Sequence, residues 1–171
     1  LVTAKSARDV DGLAAGLLLD LTREAVAAAY RAVRDNAADL VEHGMRPVYT
    51  STLAALESLG GRLSPLVVDE VTAIKSGSET ATAWLEATEH AERYWSLVRA
   101  RAALQHTVGL DPRDRDMHAL VGRRVDQRTL KAEPRHPVAV ALHRARNRAA
   151  LELWMPTPAE CAALLDAKAA A

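Results

Sequence analysis

Two pairs of acidic and histidine side chains have the spacing of neighbours on one helix face. They are Asp39 with His43 and Glu86 with His90. Carboxylate and imidazole groups are common metal ligands, and helical residues four apart lie side by side. The di-iron bundle motif, however, is Glu-x-x-His, and Ala87 stands where His90 would need its glutamate. We therefore predict no metal site, and we interpret His43 as a cation near a helix C-terminus.

The stretch "DPRDRDMH", residues 111 to 118, places three aspartates and a histidine close together. Calcium loops of the EF-hand type need a central glycine and a terminal glutamate, and both are missing here. Asp111 and Asp114 fit better as the cap and first-turn acid of a short helix. This stretch therefore adds no metal site to the prediction.

Motifs for nucleotide binding and for covalent catalysis are missing from the sequence. It contains no GxGxxG, no GxxxxGK[ST] and no GxSxG. Cys161, the only cysteine, stands three and four residues before Leu164 and Leu165, which indicates a small core residue. A single cysteine also excludes an internal disulfide and favours a reducing compartment. We predict no enzymatic activity and no cofactor.

The segment "GRRVDQRTLKAEPRHP", residues 122 to 137, is the main candidate for contact with a partner. Between residues 123 and 148 the sequence holds 8 basic and 2 acidic residues. Such a local density is sufficient for phosphate contacts, and arginine also suits protein interfaces. The residues predicted to bind a partner are Arg123, Arg124, Arg128, Lys131, Arg135, Arg144 and Arg148.

Two kinds of partner remain open for this basic region. The 22 basic and 22 acidic residues of the whole chain cancel, so the protein has no overall field that would attract nucleic acid. On a helix, Arg146 lies about 160° to 200° around from Arg144 and Arg148, so the three cannot follow one line of phosphates. No aromatic residue is interleaved for base stacking. A protein neighbour is favoured over DNA or RNA.

The elements that position these residues are predicted to be helices, because strand alternation and hairpin turns are almost absent. Apolar residues recur with helical spacing, and Gly, Pro, Ser and Thr mark the ends. The predicted helices span 6–21, 22–44, 47–59, 64–76, 78–106, 111–121, 137–155 and 157–168. The fold class is all-α: a multi-helix bundle at 1–109 and a C-terminal helical extension at 110–171, which carries the long basic loop 122–137.

The tryptophans are the predicted core anchors, since the sequence has no phenylalanine. They are Trp84, Trp95 and Trp154. Core packing is favoured for the Trp84 and Trp95 stripe, and a groove for a partner is the alternative.

These observations predict a non-enzymatic structural or adaptor protein that docks onto neighbouring protein subunits of an oligomeric assembly. A phage-like virion component from the head or neck is the specific form suggested. The alternative is a small helical protein, either nucleic-acid-binding or regulatory, that uses the basic region 123–148. No secretory signal is visible and "LAAGLLLDL" is too short to span a bilayer, so we expect cytoplasmic synthesis without membrane insertion.

Overall fold

The computed structural model describes the backbone of residues 2–108 and 134–169, and the side chains of 15–108 and 134–163. All regular secondary structure in these ranges is helical, which confirms the predicted all-α class. The elements are α1 (Val2–Asp35), α2 (Ala37–Asp39), the π-helical segment π1 (Leu40–Met45), α3 (Arg46–Arg62), α4 (Glu70–Lys75), α5 (Ser78–Thr107), α6 (Pro137–Arg146), α7 (Arg148–Leu151) and α8 (Pro158–Ala169).

The chain forms two compact units, Leu1–Asn36 and Ala37–Ala171. The first unit is α1, which is continuous through Thr22, where the helical pattern of the sequence becomes clearer. The division predicted from the sequence, 1–109 and 110–171, stays a prediction. Within the second unit, α6 shares one core with α3 and α5. The predicted boundary itself, and residues 122–133 of the basic loop, lie outside the described residues.

The core of the second unit forms where α3, α5 and α6 pack against one another, with α4 packed on α5. Apolar side chains three or four positions apart line the inner face of each helix, which is why these segments are helical and amphipathic. The small alanines among them allow close approach of the backbones. The buried residues include Tyr49, Leu53, Leu56 and Leu59 on α3, Trp84, Ala87, Ala91 and Tyr94 on α5, and Val138, Ala141, Leu142 and Ala145 on α6.

The path from α2 into α3 is continuous, although the sequence predicted a helix end at Gly44. Residues Leu40–Met45 form the π-helical segment, and Arg46 follows directly in helical conformation. At about 100° per residue, an uninterrupted α-helix would turn Tyr49 about 80° away from Val41. One residue accommodated in a π-bulge reduces that difference to about 20°. The π-helical segment therefore lets Val41 and Tyr49 enter the same core, and both are buried.

The helix predicted from Ser64 begins instead at Glu70. Asp69 is the N-cap: its Oδ1 accepts the Thr72 amide at 2.8 Å, and the Thr72 hydroxyl oxygen accepts the Asp69 amide at 3.2 Å. This reciprocal pair satisfies two amides that a helix start leaves unbonded. Ser64 forms only a turn, in which its carbonyl accepts the Val67 amide.

A capping box begins α8, as the sequence predicted. Glu160 Oε2 accepts the Thr157 amide at 2.7 Å, and Thr157 Oγ1 accepts the Glu160 amide at 3.2 Å. Arg46 donates to the same Glu160 oxygen at 2.6 Å. Partial burial raises the pKa of Glu160, but the hydrogen bonds from Thr157 and the charge of Arg46 together hold it below its ordinary value of 4.5.

Glu160→Gln is expected to remove a pH-dependent contribution to stability. A carboxyl whose pKa is lower in the folded state stabilises fully above its unfolded pKa, and this contribution is lost as the pH falls through the folded pKa. Glutamine keeps the capping box, so the variant isolates the charge. Urea unfolding should find the variant less stable by about 0.5 to 1 kcal/mol at neutral pH, and this difference should shrink as the pH falls below 4.5.

The control for this experiment is Glu89→Gln, at an exposed glutamate of α5 for which no ion pair is formed within the described ranges. The control should follow the wild type across the same pH range. A Glu160→Gln deficit that does not change with pH would contradict the assigned role of the Arg46 charge.

Candidate functional site

The residues predicted to bind a partner occupy different environments. Arg123, Arg124, Arg128 and Lys131 lie outside the described residues, whereas Arg135 is exposed just before α6. The other two, Arg144 and Arg148, lie on α6 and α7 and contact the protein itself. The predicted set is therefore not gathered on one described surface.

Arg144 packs into the core, although the sequence predicted that it binds a partner. Its side chain is 8% exposed. The guanidinium carbon lies 5.3 Å from the centre of the Trp95 ring, and Nη1 donates to the Tyr94 hydroxyl at 3.4 Å. A cation over an indole face is stabilised, so these rings account for the burial of the arginine. In this position Arg144 cannot reach a partner without leaving the core.

Arg146 caps α3, a role that the sequence analysis did not find. Its Nε and Nη2 donate to the Gly60 carbonyl at 3.0 and 2.8 Å, and Nη2 donates to the Leu63 carbonyl at 2.6 Å. The last carbonyls of a helix have no partner within the helix, and a cation is favoured there. Burial lowers the pKa of Arg146. A side chain on Gly60 would meet the Arg146 Cγ and Nε at 3.0 Å, so glycine permits the approach.

Arg148 lies beside a cavity next to α3. Its Nε is 3.2 Å from Glu57 Oε2, and both side chains are nearly half exposed. The cavity has a volume of about 360 Å³. Arg46 lines it as well and donates through Nε to the Met155 carbonyl at 3.0 Å. Sequence spacing could not find this cavity, because its residues come from 46–53 and from 148–155.

Arg101 and Cys161 form a buried polar contact beneath the start of α8. Arg101 is 1% exposed, and it donates to the Pro156 carbonyl and to Gln105 Oε1, each at 2.7 Å. Burial lowers the pKa of Arg101, while the neighbouring Cys161 and Glu160 act in the opposite direction. Burial also raises the pKa of the Cys161 thiol, so the thiolate needed for nucleophilic chemistry is disfavoured.

The three tryptophans differ in burial. Trp84 is buried in the core, 5.4 Å from the His136 ring. Trp95 is partly buried against the core, and its Nε1 donates to the Pro137 carbonyl at 3.1 Å. Trp154 is also partly buried, lies outside the core cluster and lines the cavity. The residue that holds the centre is Tyr94, fully buried and in ring contact with Tyr49 and Trp95.

The first unit, which consists of α1, exposes many large apolar side chains. Leucine, valine and tyrosine residues of this helix keep between 39% and 66% of their surface exposed. They are Leu17, Leu18, Leu19, Leu21, Val26, Tyr30 and Val33. Exposed apolar side chains grouped along one helix are candidates for contact with a partner.

The acidic and histidine pairs do not combine into a larger cluster. In the described parts of the chain, no three His, Cys, Asp or Glu side chains are arranged to hold a metal ion. The segment 111–118 lies outside the described residues. No helix within the described ranges is both long enough and apolar enough to cross a bilayer.

Comparisons with family models, with curated protein sequences and with solved structures give no significant match.

Proposed function

We propose that this protein is a non-enzymatic helical adaptor that docks onto neighbouring protein subunits of a larger assembly. The observation that supports the proposal is the exposed apolar surface of α1. Each large aliphatic side chain that becomes fully buried contributes about 1.5 to 3 kcal/mol. A helix gains most of its stability from packing an apolar face, and α1 forms a compact unit by itself. In this proposal a protein partner packs against the apolar side chains of α1.

The docking surface proposed here differs from the one expected from the sequence. Arg144 and Arg146 bond within the second unit, which removes two of the arginines of the 123–148 region from any phosphate or carboxylate of a partner. Binding of nucleic acid would then depend on Arg135 and on Arg123, Arg124, Arg128 and Lys131. Docking through 122–137 remains part of the proposal, with α1 as the primary surface.

The test replaces Leu17, Leu18 and Leu21 together with glutamine. The matched control replaces Arg23, Arg31 and Arg34, exposed polar residues of the same helix, with glutamine as well. The surface ion pairs of Arg23 with Asp20 and of Arg34 with Asp35 contribute little. Each protein is expressed in its source cells, and its sedimentation is measured. The leucine variant should leave the heavy fraction and sediment as free protein, while the control stays with the assembly.

Thermal unfolding separates this result from a loss of folding. Exposed side chains change stability by about 0.5 kcal/mol or less, so both variants should unfold at the wild-type temperature. If the leucine variant still sediments with the heavy fraction, docking through α1 is wrong. A virion component would in addition be recovered from purified particles, which tests the phage-like form of the proposal.

A further inference from the structure

The cavity beside α3 combines an apolar wall with two guanidinium groups. Its volume of about 360 Å³ falls in the range of small-molecule sites, which is about 300 to 1,000 Å³. The apolar lining comes from Leu153 and Trp154, which are partly exposed, and from Leu53 and Met155, which are buried and present little surface. The charged lining comes from Arg46 and Arg148. A ligand that fills it needs an apolar body and an anionic end.

The arginines keep donors available for such an end. A guanidinium has five N–H donors, and Arg148 forms an ion pair with Glu57 through Nε. Arg46 uses Nε and Nη2, toward Met155 and Glu160. Among the described residues, neither Arg148 terminal nitrogen nor Arg46 Nη1 has an acceptor. A planar guanidinium fits a carboxylate through paired hydrogen bonds.

The charge of the surroundings selects the anion. Glu57 and Glu160 do not line the cavity, but they pair with the two arginines that do, so these four groups together carry no net charge when all are ionised. A multiply charged phosphate would meet two carboxylates without any excess of positive charge. A single carboxylate can share Arg148 with Glu57, whose pair is nearly half exposed and therefore weakly held.

The wall is fixed before any ligand arrives. Arg46 Nε ties α3 to the Met155 carbonyl, 109 positions along the chain, and Met155 is buried. Tyr49, also fully buried, is another of the lining residues. A preformed apolar site loses little entropy on binding, which favours a small ligand.

We propose that this cavity binds a small organic monocarboxylate with an aromatic or branched aliphatic body. The site is independent of α1, so it stands apart from the proposed adaptor function. The proposal concerns reversible binding alone and involves no chemical reaction and no cofactor.

Isothermal titration of the full chain tests the proposal, with 4-phenylbutyrate as the probe and 4-phenylbutyramide as its uncharged analogue. The carboxylate should bind at least about tenfold more tightly than the amide, the effect of one charge-assisted hydrogen bond. Arg148→Gln should weaken carboxylate binding by about tenfold for the same reason. Glu57→Gln, which frees Arg148, should tighten it.

Two further variants complete the design. Arg62→Gln is the matched control, because Arg62 pairs with Glu86 at the same 3.2 Å and with similar exposure but does not line the cavity. It should bind like the wild type. Ala149 lines the cavity and is exposed, so Ala149→Trp should block binding without unfolding the chain. Three results would overturn the proposal. They are equal affinity of the protein for the acid and the amide, wild-type affinity of Ala149→Trp for the acid, and no binding of the acid at millimolar concentration.

Discussion

Tyr94→Ala is expected to lower the free energy of unfolding by about 3 to 5 kcal/mol, the cost of removing a large aromatic side chain from a packed core. Tyr94 is fully buried; its ring centre lies 5.7 Å from that of Tyr49 and 5.0 Å from that of Trp95. It also accepts a hydrogen bond from Arg144. The substitution therefore removes two ring contacts and leaves a buried cation with one partner fewer.

Urea unfolding of Tyr94→Ala beside Trp95→Ala measures the effect. Trp95 is only partly buried, so its loss should cost less than that of Tyr94 although tryptophan is the larger residue. Tyr94→Phe keeps the ring contacts and loses only the hydroxyl, with an expected cost of about 1 to 3 kcal/mol. A larger loss for Trp95→Ala than for Tyr94→Ala would show that the anchor is Trp95, as the sequence suggested.

Arg101→Ala is expected to be similarly damaging, at about 3 to 5 kcal/mol. The side chain is 1% exposed and fills the space beneath the start of α8. Its removal leaves a void and leaves the Pro156 carbonyl and the Gln105 amide oxygen without their donors at 2.7 Å. Hydrogen bonds from charged donors contribute more than neutral ones, and buried acceptors without partners are costly.

Three variants separate packing from hydrogen bonding at this position. Arg101→Met keeps most of the volume but none of the donors, so its loss in unfolding free energy should fall between those of the wild type and Arg101→Ala. Arg99→Ala, an exposed arginine of the same helix, should change stability by about 0.5 kcal/mol or less. If Arg101→Met is as stable as the wild type, the hydrogen bonds add nothing net and packing alone holds the site.

Helical periodicity and end signals predicted much of the fold. α5 was predicted at 78–106 and spans Ser78–Thr107, and α6 begins at Pro137 as predicted. These elements have long amphipathic stripes or a proline at the first turn, which are local signals. The π-helical segment was missed because Gly44 resembles a helix end, and only the shared burial of Val41 and Tyr49 explains why the helix continues.

The environments of the arginines could not be predicted from sequence. A basic residue on a helix is usually a solvated or partner-facing group, and Arg144 and Arg146 gave no local sign of anything else. What buries them lies far along the chain: Tyr94 is 50 positions from Arg144, and Gly60 is 86 positions from Arg146. Long-range acceptors and rings, which spacing does not reveal, decide between surface and core.

The hydrogen bonds from Arg146 to the end of α3 also have a consequence for synthesis of the chain. The ribosome makes the N-terminal part first, so α3 leaves it well before Arg146 is translated. During that interval the Gly60 and Leu63 carbonyls can bond only to water or to temporary neighbours. The last turn of α3 therefore matures late, and a nascent chain acquires it only after α6 has been made.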